Sequence, residues 1–77
     1  MKELIETLVK PLVDFPDEIR IDVLEEKDKV VYKLSVHQSD VGKVIGKNGR
    51  IIKALRTIVT AHAHVSGGKR VFLEIDE

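Results

Sequence analysis

The stretch Val44-Ile45-Gly46-Lys47-Asn48-Gly49-Arg50-Ile51-Ile52 decides how this chain reads. Two glycines three apart interrupt a run of branched aliphatics, with Lys47 between them and Arg50 just after. Glycine tolerates left-handed backbone and lets another group approach the chain closely. The residues after Gly49 carry helical periodicity, so the loop opens onto a helix start. Bare backbone and positive charge at that position suit a phosphate-bearing ligand.

Downstream, Ile52, Leu55, Ile58 and Val59, with Ala54 and Ala61 as small neighbours, predict a helix running to His64. Ser66-Gly67-Gly68 closes it, since glycine accepts the left-handed conformation past a helix end. Upstream, Val41 to Ile45 predicts a short helix that Gly46 stops, with Ser39 or Asp40 as its cap. Ile19, Ile21 and Val23 alternate with Arg20, Asp22 and Leu24, and Val30, Tyr32, Leu34 and Val36 with Val31, Lys33, Ser35 and His37. Both runs have the strand period, and the polar turn Lys27-Asp28-Lys29 between them predicts an antiparallel hairpin. Leu4, Ile5, Leu8, Val9, Leu12 and Val13 line one face of a helix from Glu3 to Val13, ended by Pro16. Val71, Leu73 and Ile75 alternate with Arg70, Phe72 and Glu74 as a last strand.

The order is therefore α-β-β-α-α-β, an α+β fold with a three-stranded mixed sheet and three helices packed on one face. The two-helix crossover makes its flanking strands parallel if they are neighbours. Residues 1–77 are expected to form a single domain with a thin core. There is no cysteine, which excludes disulfides and thiolate chemistry and fits a reducing cytoplasm. No apolar stretch reaches membrane-spanning length, and Met1 to Lys10 lacks the continuous apolar core of a signal peptide.

Formal net charge is zero, but it is unevenly spread. Residues 1–40 hold six Lys/Arg against ten Asp/Glu. Residues 41–70 hold seven basic residues, Lys43, Lys47, Arg50, Lys53, Arg56, Lys69 and Arg70, and no acid. A neutral chain with such a block still presents a strong local field. A merely solvated helix face usually mixes signs for i,i+4 pairing, which this block does not.

Two phosphate-binding alternatives fail on spacing. A nucleotide-hydrolase loop needs four residues between its glycines, then Lys and Ser or Thr. Gly42 and Gly46 have three between them, Asn48 stands in the hydroxyl position, and the loop follows a helix. No Gly-x-Gly pair suits a dinucleotide fingerprint. A bare Asn48-Gly49 turn would need only one glycine.

Ile45-Gly46-Lys47-Asn48-Gly49-Arg50-Ile51-Ile52 resembles the Ile-Gly-x-x-Gly-x-x-Ile signature of the KH domain, set between two helices. The element order is similar to the type II, prokaryotic arrangement, and the resemblance covers the whole chain. With no second domain, the chain looks like the small stand-alone bacterial KH proteins of the KhpA type. The resemblance implies an RNA-binding module whose loop grips the backbone of single-stranded RNA while the bases lie in a narrow apolar groove.

Carried over by position, Gly46 and Gly49 let the phosphates approach, and Lys47 and Asn48 are the variable loop residues. Arg50, with Lys43 and Lys53, adds charge-assisted phosphate contacts. Ile45 and Ile52 support the groove or the core, and Lys69 and Arg70 form the opposite rim. The variable segment between the long helix and the last strand is short, Val65 to Lys69, which implies weak selectivity. With no aromatic in the glycine loop, stacking is not a main source of affinity.

The family resemblance further implies an RNA chaperone or post-transcriptional regulator linked to cell shape. It also implies a homodimer, or a heterodimer with a larger KH-containing protein. The contrasting reading is a KH-fold interaction or dimerisation module with a vestigial RNA groove. No enzyme activity, cofactor, metal, membrane or small-molecule substrate is expected. His62 and His64 point to different sides of their helix, and no ligand-rich spacing completes a site with them or with His37. His62 is expected to edge the core and His64 to face solvent. Phe72 is expected on the open sheet face, where Val31 or Leu24 would extend it into an apolar patch.

Overall fold

A computed structural model of the chain describes residues 1–66 and 68–76. Its elements are α1 (Lys2–Val9), β1 (Arg20–Glu25), β2 (Lys29–Ser35), α2 (Val41–Ile45), α3 (Arg50–Ser66) and β3 (Arg70–Ile75). The sheet order is β1-β2-β3, with β1 antiparallel and β3 parallel to the central β2. This is the mixed sheet the sequence predicts. Ile5 and Val9 of α1, Val44 of α2, and Ile52, Leu55 and Val59 of α3 form one core with Ile21, Leu34 and Leu73 of the sheet. All three helices therefore lie on the face that those strand residues share.

Several local details differ from expectation. The first helix stops at Val9 and gives way to a 3-10 turn over Lys10–Leu12 instead of running on to Val13. Pro11, not Pro16, is responsible: it has no N–H to donate within an α-helix, and its ring crowds the preceding turn. Pro16 instead begins a second 3-10 turn, Pro16–Glu18. The hairpin turn is one residue earlier than predicted, with Glu26 N–H donating to Lys29 O at 2.8 Å. Val23, expected inside, is 46% exposed on the outer strand β1.

Neither Ser39 nor Asp40 caps α2 through its side chain. A 3-10 turn over Gln38–Asp40 precedes that helix, and His37 Nδ1 accepts from Ser39 N–H at 3.1 Å. Asp40 turns inward instead. Its Oδ1 accepts from Asp14 N–H at 3.2 Å and its Oδ2 from Phe15 N–H at 3.0 Å. The side chain is fully buried, so it latches the segment after α1 onto the start of α2. Phe15 completes the junction by stacking on His37, ring centroids 4.2 Å apart.

α3 continues to Ser66, past the predicted His64, and Gly67 of the closing trio lies outside the described residues. His62 and His64 are both exposed, His62 beside Met1 and Val30 at the sheet's end. On the open face, register places Leu24, Val31 and Phe72 in one row across the sheet.

Candidate nucleic-acid interface

α2 ends on Gly46, whose N–H donates to Gly42 O at 2.9 Å and whose φ and ψ are 76° and 173°. A Cβ at Gly46 would sit 2.6 Å from Ile51 Cγ1. Gly46 is thus demanded twice, by its backbone angle and by Ile51 filling the space where a side chain would begin. Gly49 has φ 71°, but a Cβ there would meet only Ile52 Cγ2 at 3.9 Å. Conformation alone requires glycine at that second position. Asn48 between them is left-handed, φ 58° and ψ 26°, a region asparagine enters more readily than most residues.

Gly49 N–H donates to Gly46 O at 3.1 Å, and Arg50 N–H to Lys47 O, closing the loop as one turn. Among the described residues nothing accepts from the N–H groups of Lys47 and Asn48. Lys47, Arg50 and Lys53 are exposed and, among the described residues, have no carboxylate within ion-pair distance. Two unengaged amides and three uncommitted cations therefore converge on one turn. Ile45 is half-buried against the core and Ile52 is buried in it, so both brace the turn from beneath.

Lys43, grouped with those cations by sequence, is placed differently. Its Nζ is held by Asp14 Oδ2 and lies 3.4 Å from Asp40 Oδ1. The hydrogen bond to Asp14 outweighs the loss of water and, with Asp40, holds the ammonium above its ordinary pKa of 10.5. For Asp40, burial alone would raise the carboxyl. The hydrogen bonds from Asp14 and Phe15 N–H, together with Lys43, outweigh it and hold the pKa below the usual 3.8. Lys43 therefore serves the latch beneath the loop, and its charge is already matched.

Lys53, Arg56, Thr60 and His64 follow one another at spacings of three and four, so they share a face of α3. Arg56 Nε donates to Leu73 O at 3.0 Å, so that face looks onto β3. Asp76 N–H bonds to Leu34 O at 2.7 Å. By the alternation of a parallel ladder, Leu73 and the other odd-numbered residues of edge strand β3 turn their N–H and C=O away from β2. Arg56 thus bridges α3 and the free edge of β3, and Thr60 and His64 border recesses further along α3. α3 has 17 residues, about 25 Å at 1.5 Å per residue.

Lys69 and Arg70 stand beside the distant end of α3, not opposite the loop as a facing rim. Their positions follow from the parallel register, which pairs Arg70 with Lys29 beside the hairpin turn. Lys69 Nζ donates to Glu26 O at 2.9 Å and lies 4.0 Å from Glu25. The Arg70 guanidinium lies over Phe72, 5.5 Å from the ring centroid, with Lys29 at 5.8 Å. Thr60, His64, Lys69, Arg70 and Phe72 surround a recess there.

The sequence marks Asp40 only as a helix cap and Arg56 only as charge, and gives no local signal for the roles of Asp14 and Ile51. Asp40 and Lys43 are three apart, a spacing that hinted at a pair, but nothing local announced that Asp40 would reach Asp14 and Phe15.

A Gly-x-x-Gly turn between two helices, on an α-β-β-α-α-β chain whose crossover strands are parallel, defines a type II KH domain. Residues 2–75 match the family model described as KhpA/KhpB, KH domain, and the chain belongs to that family. It is 60% identical over 75 residues to the RNA-binding protein KhpA of Oceanobacillus iheyensis, covering 97% of this chain and 99% of that one. Against the RNA-binding protein KhpA of Bacillus subtilis the identity is 52% over 75 residues, covering 97% and 91%. Against that of Clostridium acetobutylicum it is 48% over 75 residues, covering 97% and 99%.

Proposed function

We propose that residues 1–77 act as one cytoplasmic KH domain that clamps single-stranded RNA, as an RNA chaperone or post-transcriptional regulator of low sequence specificity. The observation that carries this reading is the convergence of the free Lys47 and Asn48 amides with the uncommitted Lys47, Arg50 and Lys53 charges. Backbone amides fix a phosphate in place, and the cations around it supply charge-assisted bonds. Bases then extend along α3 beside the β3 edge, towards Lys69 and Arg70. The names of the curated relatives, all RNA-binding proteins, support the ligand class.

Three uncommitted cations predict a slope of log K against log salt of about −2, at roughly −0.7 per phosphate on a single strand. The test replaces Lys47 and Asn48 together by Asp, checks the fold by circular dichroism, and titrates single-stranded RNA at two salt concentrations. Affinity should fall at least about tenfold, because two negative charges replace the phosphate seat. Unchanged affinity and slope would sink the clamp.

A second reading, self-association or pairing with a larger KH protein, is supported by the row Leu24–Val31–Phe72 on the open face. Leu24 and Phe72 are 59% and 40% exposed, although both are large and apolar. Phe72 also borders the recess beside Lys69 and Arg70, so pairing there would limit how far a bound strand extends along α3. Sizing the wild type beside Phe72→Glu tests it. A monomeric wild type at high concentration would remove it.

A further inference from the structure

We propose that Phe72 is a second RNA contact, a stacking platform on the open face of the sheet for a base beyond those held at the Gly-x-x-Gly turn. The inference rests on the RNA-clamp reading above and extends its footprint around the edge of β3.

Phe72 lies on edge strand β3, on the face that no helix covers, opposite Val31 of β2. Together with Arg70 it borders two recesses at once. One is lined by Thr60 and His64 of α3, and the other by Lys27 and Lys29 of the hairpin. The two side chains therefore form a ridge between the far end of α3 and the open face. A KH turn clamps about four nucleotides. Nucleotides beyond these, continuing along α3, come to the ridge and meet the exposed ring of Phe72.

The ridge suits an anionic strand. The Arg70 guanidinium lies 5.5 Å and the Lys29 ammonium 5.8 Å from the ring centroid. With both in place Phe72 is still 40% exposed, so part of the ring stays open. Among the described residues Arg70 has no carboxylate within ion-pair distance, and Lys29 meets only Glu26, at 3.7 Å. A base of any identity stacks on an aromatic ring, and a planar guanidinium beside that ring widens the platform. The guanidinium also keeps N–H donors for the adjoining phosphate. Such a stack adds affinity without reading sequence, which agrees with low specificity.

A second copy of the chain is the other occupant this face admits. Val31, in the middle of the apolar row, is only 8% exposed. The accessible apolar surface is thus split between Leu24 and Phe72 on the two outer strands, about 10 Å apart at twice the strand spacing. Two separate side chains fall short of the roughly 800 Å² per partner of a stable interface. Packing sheet on sheet would also strip water from Arg70 and Lys29, whereas a nucleotide strand leaves both hydrated beside its phosphates.

The test titrates oligouridylates of five and ten nucleotides into wild type, Phe72→Ala and Phe72→Trp, with sizing and thermal melts of each free protein. The gain in affinity from five to ten nucleotides should be at least about fivefold larger in wild type than in Phe72→Ala, the low end for one stacked base. Affinity for the five-nucleotide strand should be the same in both. The chain has no tryptophan of its own, so Phe72→Trp reports on this position alone. Its fluorescence should be quenched by the longer strand and not by the shorter. Equal gains in wild type and Phe72→Ala, with no quenching, overturn the proposal. So does equal weakening at both lengths in a Phe72→Ala protein that melts earlier, the signature of a purely structural ring. So does a dimeric wild type that Phe72→Ala makes monomeric with the length gain unchanged, which assigns the face to a second copy. In these three cases the clamp still stands. If wild type binds neither strand, the clamp itself fails and the proposal falls with it.

Discussion

Around the N-terminal end of α3, Lys47, Arg50 and Lys53 have no carboxylate within ion-pair distance among the described residues. At its C-terminal end, Lys69 is bonded to Glu26 O and Arg70 is laid against Phe72. Both ends belong to the same acid-free block of sequence. Folding brings acidic residues to some of these cations and not to others. Glu25 reaches Lys69 through the hairpin, and Asp14 and Asp40 reach Lys43 at the base of α2. Local charge density counts the cations, but tertiary contacts decide which are free to meet a ligand.

The sharpest way to break this contrast is to remove the turn that organises the free end. Gly46→Ala should destabilise the protein by about 3 kcal/mol, since strain at positive φ adds to a clash with Ile51. Urea denaturation measures it, and RNA affinity should fall in step. Asp40→Asn should cost less at neutral pH while removing an acid-sensitive element beneath the loop. Because the folded Asp40 pKa is lowered, its contribution is complete above the usual carboxylate value of 3.8 and disappears as pH drops through the folded value. The stability gap between wild type and Asp40→Asn should therefore narrow in acid below pH 3.8, and denaturation midpoints across that range check it.

Gly49→Ala isolates conformation from packing. Only the left-handed angle opposes the new methyl group, so the loss should be about 1 kcal/mol in the same urea assay, well short of the Gly46 variant. The smallest effects come from the charges themselves. Lys47→Gln and Lys53→Gln should each flatten the salt slope of RNA binding by about 0.7. Lys43→Gln and Lys69→Gln should change it by less than about half as much, because their charges are matched within the protein. Equal slopes for all four variants would erase the distinction between free and matched cations.

Much of this fold was readable because its signals are local. The period-two runs over 19–24 and 30–36, the helical period after Gly49, and the paired glycines each report on a few neighbouring residues. The misreadings arose where local rules competed. Pro16 has the place of a helix stop, but Pro11, already inside the apolar stripe, ends the helix first, having no N–H and a ring that crowds the turn before it. Asp40 has the short oxygen-bearing side chain of a helix cap, but two backbone N–H groups from the 14–15 segment offered it a buried site instead. Arg56 looked like one more surface charge until the packing of α3 on β3 brought Leu73 O within its reach.

By itself, the sequence determined the element order, the position of the Gly-x-x-Gly turn and the basic block around it. Each of these depends on backbone preference, side-chain period and charge, which neighbouring residues settle among themselves. Only the tertiary structure decided that Ile51 occupies the Cβ space of Gly46, that Lys43 is tied to Asp14 and Asp40, and that Arg56 is pinned to the edge of β3. Those facts join residues distant in sequence or fix the fit of one side chain against another's backbone. They exist only once helices and sheet share a core.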